Sequence, residues 1–211
     1  MTDKTVRAII FDMDGTLWDS AANVARSWNE VIAKQPDIDV VITEQDIKNV
    51  MGMTMDDIAA RLFPGLSYER QMELMDLCGA YENEYLRTHG GTIYPGLQET
   101  LSGLSSCHDL YIVSNCQKGY IESFLEYYDF GGYFTDKLCW GDTRLKKGET
   151  IKLLMERNNI DRAYYVGDTI GDCESARYAG IGFIHAAYGF GRVDKPDAVI
   201  YAITELMDLF T

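Results

Sequence analysis

The sequence predicts an α/β protein: a parallel sheet with helices on both faces, plus an all-helical segment inserted after the first strand. Three observations predict it. Short runs of β-branched and aromatic residues alternate with helical patterns through the second half of the chain. Between about Leu17 and Gly91 that alternation stops, and the segments read as almost wholly helical. Several strand-like runs end in an acidic or hydroxyl residue, and parallel sheets bind their ligands at the carboxyl ends of their strands.

The elements follow in chain order. "VRAIIF" (6–11) is an apolar run of strand length that gives out in "DMDGT". Four helical patterns come next: "SAANVARSWNEVIAKQ", "TEQDIKNVM", "TMDDIAARLF" and "SYERQMELMDLCGAYENEYLRTH". Ser20 and Thr43 stand where helix caps belong, and Gly52, Pro64 and Gly65 punctuate the segment. Further strands are expected at "LYIVS" (110–114), "KLCW" (137–140), "AYYVG" (163–167), "IGFIH" (181–185) and "DAVI" (197–200). The helical patterns around them are "GLQETLSGLSS", "GYIESFLEYY", "GETIKLLMERNN", "DCESARYAG" and "AITELMDLF". The layout divides into a discontinuous core, residues 1–17 and 91–211, and a helical cap, residues 18–90.

Composition narrows the function classes. A chain of 211 residues holds one domain of good size, or one domain with an insertion. The net charge of −14 argues against nucleic acid as a partner, because phosphate backbones would be repelled. A small anionic substrate is still allowed, since a metal and a lysine can reverse the field at one site. No apolar run reaches the ~20 residues of a membrane span, and the start, "MTDKTVRAIIFDMD", does not read as a signal peptide. The expectation is a cytoplasmic protein with no membrane partner. Cys78, Cys107, Cys116, Cys139 and Cys173 show no zinc-like spacing and read as reduced thiols. His89, His108 and His185 are scattered and read as structural or surface residues, and no nucleophile elbow is present.

Asp12 and Asp14 pose the chemical question. Residues two apart on a strand share a face, so two such carboxylates repel unless something positive holds them. A hard cation with oxygen ligands, such as magnesium, meets that need and calls for further oxygens from elsewhere in the chain. Other strand ends supply candidates: Ser114 with Asn115, then Lys146 and Lys147 ahead of a helix, then "GDTIGD" with Asp168 and Asp172. Taken singly, each of these reads as a turn, a cap or a solvated charge. Their order and spacing together do not.

With those residues in place, the chain resembles the haloacid dehalogenase-like superfamily of phosphohydrolases, in the phosphoglycolate phosphatase-like branch that carries a helical cap on a Rossmann-like core. D-x-D-G-T is matched by Asp12 to Thr16, the strand-ending hydroxyl by Ser114, the lysine by Lys147 or its neighbour, and G-D-x-x-x-D by Gly167, Asp168 and Asp172. The resemblance implies a Mg2+-dependent phosphatase acting on a small phosphorylated metabolite. Asp12 would be the nucleophile, forming an aspartyl-phosphate, and Asp14 the general acid and base. Mg2+ would be held by Asp12, Asp168 and the main-chain carbonyl of Asp14, with Asp172 orienting a metal-bound water or the lysine. Ser114, the amide of Asn115 and Lys147 would hold the phosphate.

Departures from the family pattern leave choices open. The third motif reads "LKKGE", so Lys146 and Lys147 compete for one role, with Lys147 preferred at the helix start. Asn115 either contacts substrate or caps a turn. Met51, Met53 and Met55 around Gly52 either pack the cap or face the substrate, with packing preferred. Asp14 argues for cleavage of a C–O–P ester and leaves a sugar-phosphate mutase as the alternative. A catalytically idle binding relative is the more distant one. Oligomeric state is not legible in the sequence.

Overall fold

The computed structural model describes residues 7–210. In chain order the elements are β1 (Ala8–Phe11), β2 (Trp18–Asp19), α1 (Ala21–Ile32), α2 (Glu44–Lys48), α3 (Met55–Leu62), α4 (Tyr68–His89), β3 (Thr92–Ile93) and α5 (Leu97–Ser105). They continue with β4 (Asp109–Ser114), α6 (Tyr120–Tyr128), β5 (Phe134–Cys139), α7 (Trp140–Thr143), α8 (Lys147–Arg157) and β6 (Ala163–Gly167). The chain closes with α9 (Ile170–Ala179), β7 (Gly182–Ala186), β8 (Ala198–Ile200) and α10 (Leu206–Phe210).

Six strands form one parallel sheet in the order β5-β4-β1-β6-β7-β8. β1 is central and buried along its whole length, which requires cover on both faces. Its side chains alternate accordingly. Ile9 and Phe11 join a core with Leu97, Leu101 and Phe124 of α5 and α6. Ala8 and Ile10 join a separate core with Ile151, Leu154 and Ala176 of α8 and α9. The predicted parallel sheet with helices on both faces is therefore observed.

Helices α1–α4 all lie between β2 and β3, which pair with each other antiparallel. The chain thus leaves the sheet region and returns to it through adjacent two-residue strands. α4 packs on α1 and α3 and also on α6. Among the described residues, no helix is long and apolar enough to cross a membrane.

Element boundaries differ from expectation in places with physical causes. β5 starts at Phe134 rather than Lys137, and Trp140 opens α7 instead of ending the strand. As an edge strand it carries exposed and half-buried polar residues in "FTDK", so only its last residues read as apolar. α2 stops at Lys48, short of the expected Met51, and the chain turns through Val50–Met53. Val6, assigned to the first strand from sequence, lies outside the described residues.

Candidate active site

The site is built where β4, β1 and β6 end side by side. Phe11 is level with Ile112 on one neighbour and Val166 on the other. Asp12 and Asp168 each follow their strand by one residue, and Ser114 is the last residue of β4. The Asp12 amide continues the ladder by donating to the Val166 carbonyl at 2.9 Å. Three residues spread over more than 150 positions of sequence thus stand at one sheet edge. Asp12, Ser114 and Asp168 are all buried.

Lys147, the first residue of α8, reaches the same place. Its Nζ donates to Asp12 Oδ1 at 3.0 Å and to Asp172 Oδ1 at 2.6 Å, and it is 5% exposed. Lys146 is exposed, and of the two lysines it is Lys147 that the fold brings to Asp12. The other Asp172 oxygen accepts from the Thr169 amide at 3.0 Å and hydroxyl at 2.6 Å, closing a capping box at the start of α9. Asp172 is therefore bound on both oxygens and steers the lysine.

Asp168 is held differently. Its Oδ2 accepts from the Phe190 amide at 2.7 Å and the Gly191 amide at 3.3 Å, while buried Oδ1 has no partner. Oxygens of Asp12, Asp168 and Asp172 come within 4.8 Å of one another. Three buried carboxyls against one ammonium leave unbalanced negative charge, and an unpartnered buried oxygen calls for a cation or a donor. The donor set is all oxygen, which suits magnesium. Gly15 keeps this corner open: its φ is +78° and a Cβ there would lie 2.3 Å from Asp168 Oδ2.

The electrostatics follow from burial. Burial pushes Asp12 up to about 7, with the Asp172 charge adding to the rise and Lys147 opposing it. Asp168 is pushed up to about 8, again chiefly by burial and then by Asp172 and Asp12. Lys147 is held well above the usual lysine range: Asp12 and Asp172 outweigh the burial that would lower it.

Asp14 occupies a separate environment, and its carboxyl is not among the three that converge. Ser20 Oγ donates to Asp14 Oδ1 at 2.8 Å and Tyr120 donates to the same oxygen at 2.6 Å. Ser20 and Tyr120 are themselves 2.7 Å apart. Burial raises Asp14 to about 6, with Tyr120 and Ser20 holding it back. This corrects the expectation for Ser20: it occupies the N-cap position of α1 but makes no side-chain cap bond, and Asp19 Oδ1 accepts from the Ala21 amide instead, at 3.0 Å. Thr43 does cap α2, in a capping box with Asp46.

Beyond Asp14 a cavity of about 50 Å³ lies beneath the helical insertion. Ser114 and Asn115 line its floor, and Met51, Met53 and Met55 line it from the opposite side while also packing in the insertion's core. The preferred packing reading of these methionines agrees with the structure, and the same side chains border the cavity. Asn115 Nδ2 donates to the Gly52 carbonyl at 2.8 Å, tying the 51–55 loop to the sheet edge, and its buried Oδ1 is unpartnered. Thr54 is engaged as the cap of α3, accepting from the Asp57 amide.

Sequence reasoning missed Tyr120, the Tyr188–Gly191 loop and Glu82. Glu82 of α4 is 3% exposed, lines the cavity, and accepts from Trp28 Nε1 at 2.5 Å. Its signal was its position: it falls on the buried stripe Leu74, Met75, Cys78, Leu86 of an otherwise acid-rich helix. Glycines at 189 and 191 were the signal for the loop. A Cβ on Gly189 would lie 2.3 Å from the Gly15 carbonyl, so this loop packs directly on the D-x-D-G turn.

The comparisons with known proteins agree with this geometry. A phosphoglycolate phosphatase of Vibrio vulnificus is 28% identical over 231 residues, covering 99% of this chain and 98% of that one. A 5'-nucleotidase of Pseudomonas aeruginosa is 25% identical, covering 92% of this chain and 90% of the relative. The crystal structure of a predicted phosphoglycolate phosphatase from Haemophilus somnus shares the fold, with a TM-score of 0.85 at 20% identity over 98% of each chain. The model of the haloacid dehalogenase-like hydrolases matches residues 9–186, which takes in every strand-end residue described above. The chain is a member of the haloacid dehalogenase-like hydrolase family, and within it resembles the phosphoglycolate phosphatase-like branch.

Proposed function

We propose that the protein is a magnesium-dependent phosphatase that hydrolyses a small phosphate monoester through a phosphorylated Asp12. The observation that carries this reading is the convergence of Asp12, Lys147 and Asp168, with a buried unpartnered carboxylate oxygen, at the ends of adjacent strands. The similarity to proteins named phosphoglycolate phosphatase supports the reaction class.

Asp12 and Asp168, with the main-chain carbonyl of Asp14, would hold the metal. Bound there, magnesium supplies the positive charge that keeps these buried carboxyls ionised and offsets the charge of the phosphate. Asp12 then attacks phosphorus as the ester P–O bond breaks, giving an acyl phosphate and an alcohol. Asp14, raised to about 6 and oriented by Ser20 and Tyr120, is suited to give the departing oxygen its proton. It next takes a proton from the water that attacks the acyl phosphate, and Asp12 is released with inorganic phosphate. Lys147 neutralises charge at Asp12 throughout, Asp172 fixes the lysine, and Ser114 with the Asn115 amide holds phosphate oxygens.

Residues 18–90 serve as a cap domain over the core of 1–17 and 91–211. The paired strands β2 and β3 at its base and the Asn115–Gly52 bond at its far edge support that division. A mutase would need several polar cap groups to hold a sugar, and in the 51–57 segment Thr54 and Asp57 are engaged with each other. The test is a panel of phosphometabolites assayed for inorganic phosphate with magnesium and with EDTA. Metal-dependent release from several monoesters is expected. Quantitative conversion of a hexose 1-phosphate to its 6-phosphate with negligible free phosphate would defeat the phosphatase reading.

A further inference from the structure

The cavity beside Asp14 is where the alcohol of a bound ester must lie, given the phosphatase reading on which this inference rests. Its walls are unusual for a site meant to receive a second anionic group. Val24, Ile47, Val50 and Ile58 make much of them apolar, Gln117 and Tyr120 add neutral polar groups, and Asp14 and Glu82 are the charged residues that line it; among the described residues no lysine, arginine or histidine does. Glu82 makes no ion pair with any described residue. Trp28 and the Gln117 side chain both donate to it, so it is held by neutral donors only.

A buried carboxyl with no cation beside it is costly to keep. Burial pushes Glu82 up to about 7 although Trp28 and Gln117 hold it back, and the Asp14 charge adds a smaller rise. Such a group rewards a ligand that brings a donor and penalises one that brings negative charge, because nothing in the cavity would neutralise the added anion.

We propose that Glu82 reads the leaving group, and that the substrate is a monoester of a small alcohol bearing no negative charge and presenting a hydroxyl or ammonium donor to Glu82. A carboxylate-bearing alcohol such as glycolate is selected against, despite the names of the chain's relatives.

The experiment uses three matched two-carbon esters with the magnesium-loaded full chain: 2-phosphoglycolate, 2-hydroxyethyl phosphate and 2-aminoethyl phosphate. p-Nitrophenyl phosphate serves as a reference for the chemistry. The hydroxyl or amino ester should exceed phosphoglycolate in kcat/KM by roughly 100-fold, the scale on which sites reject ligands that leave buried polar groups unmatched. Whichever of the two is faster identifies the donor. In Glu82→Gln, which keeps an acceptor for Trp28, that advantage should fall to about tenfold or less, mainly through KM for the donor-bearing ester. If phosphoglycolate is hydrolysed as well as the others, the inference is wrong while the phosphatase reading stands. An unchanged selectivity in a folded Glu82→Gln removes Glu82 as the reader. Should the variant fail to fold, the wild-type series alone decides. No phosphate from any ester, the reference included, brings down both readings.

Discussion

Replacing Glu82 with glutamine should make the protein more stable at alkaline pH, and the size of the gain follows from the structure. An unfolded glutamate titrates near 4.5, whereas burial in the cavity raises the folded group to about 7. Between those values the folded state binds the proton that the unfolded state has lost, so stability falls as pH rises. The neutral-form advantage is whole below 4.5 and is lost as pH passes through about 7. A rise of that size corresponds to about 3 kcal/mol. Glutamine never ionises and still offers an oxygen to Trp28 Nε1, so it escapes this loss. The two proteins should match at pH 4.5 and differ by up to about 3 kcal/mol at pH 8, or roughly 6–12 °C in melting temperature for a chain of this length. Chemical and thermal unfolding of both across that pH range is the assay. Asp12 and Asp168, also raised by burial, titrate in both proteins and cancel in the difference. A difference that does not change with pH, or that grows in favour of wild type as pH rises, would refute the argument. If the gain appears together with lost selectivity, Glu82 is a residue kept for function at a cost in stability.

Other expectations concern the sheet edge. Lys147→Ala should lower kcat/KM by roughly 10³-fold or more, because it strips the countercharge from Asp12 and Asp172 in a closed site; Lys146→Ala should change it less than about twofold, and steady-state kinetics on both variants decides. Asp168→Asn should weaken the response to magnesium, so a titration of rate against magnesium should shift to higher concentration with part of the rate recovered. Gly15→Ala puts a Cβ 2.3 Å from Asp168 Oδ2 at a φ of +78°, so both melting temperature and magnesium response should drop, and an unaffected variant would mean the turn is not as tight as described.

Much of this was legible because apolar strand runs end abruptly in residues with chemical work to do. "AIIF" running into Asp12, "YIVS" ending at Ser114 and "YYVG" running into Asp168 each mark both a strand and its functional end. The insertion was legible as four helices in a row. The partners of Asp14 were not. Ser20 reads as a helix cap because nothing local reveals that its hydroxyl turns back six residues, and Tyr120 is brought in from 106 residues away by the packing of α6. β2 and β3 are two residues long, too short for any period to show. Glu82 went unremarked: its place on the buried stripe of α4 marks it as inward-facing, but only the packing of α1 against α4 shows that it borders a cavity and meets Trp28. Lys147 was separated from Lys146 by geometry: one residue of phase at the start of α8 decides which side chain faces Asp12.

The central claim is that Asp12 becomes phosphorylated and that Asp14 serves the proton transfers. p-Nitrophenyl phosphate separates these roles, since its leaving group departs as a stable anion and needs no proton from Asp14. With magnesium-loaded Asp14→Asn, a rapid-quench experiment should show a burst approaching one p-nitrophenolate per protein, followed by slow turnover. A hydroxylamine-sensitive phosphoryl group should then be recovered on the peptide containing Asp12. A linear time course in a variant that still turns over, with no phosphate on that peptide, would contradict the account.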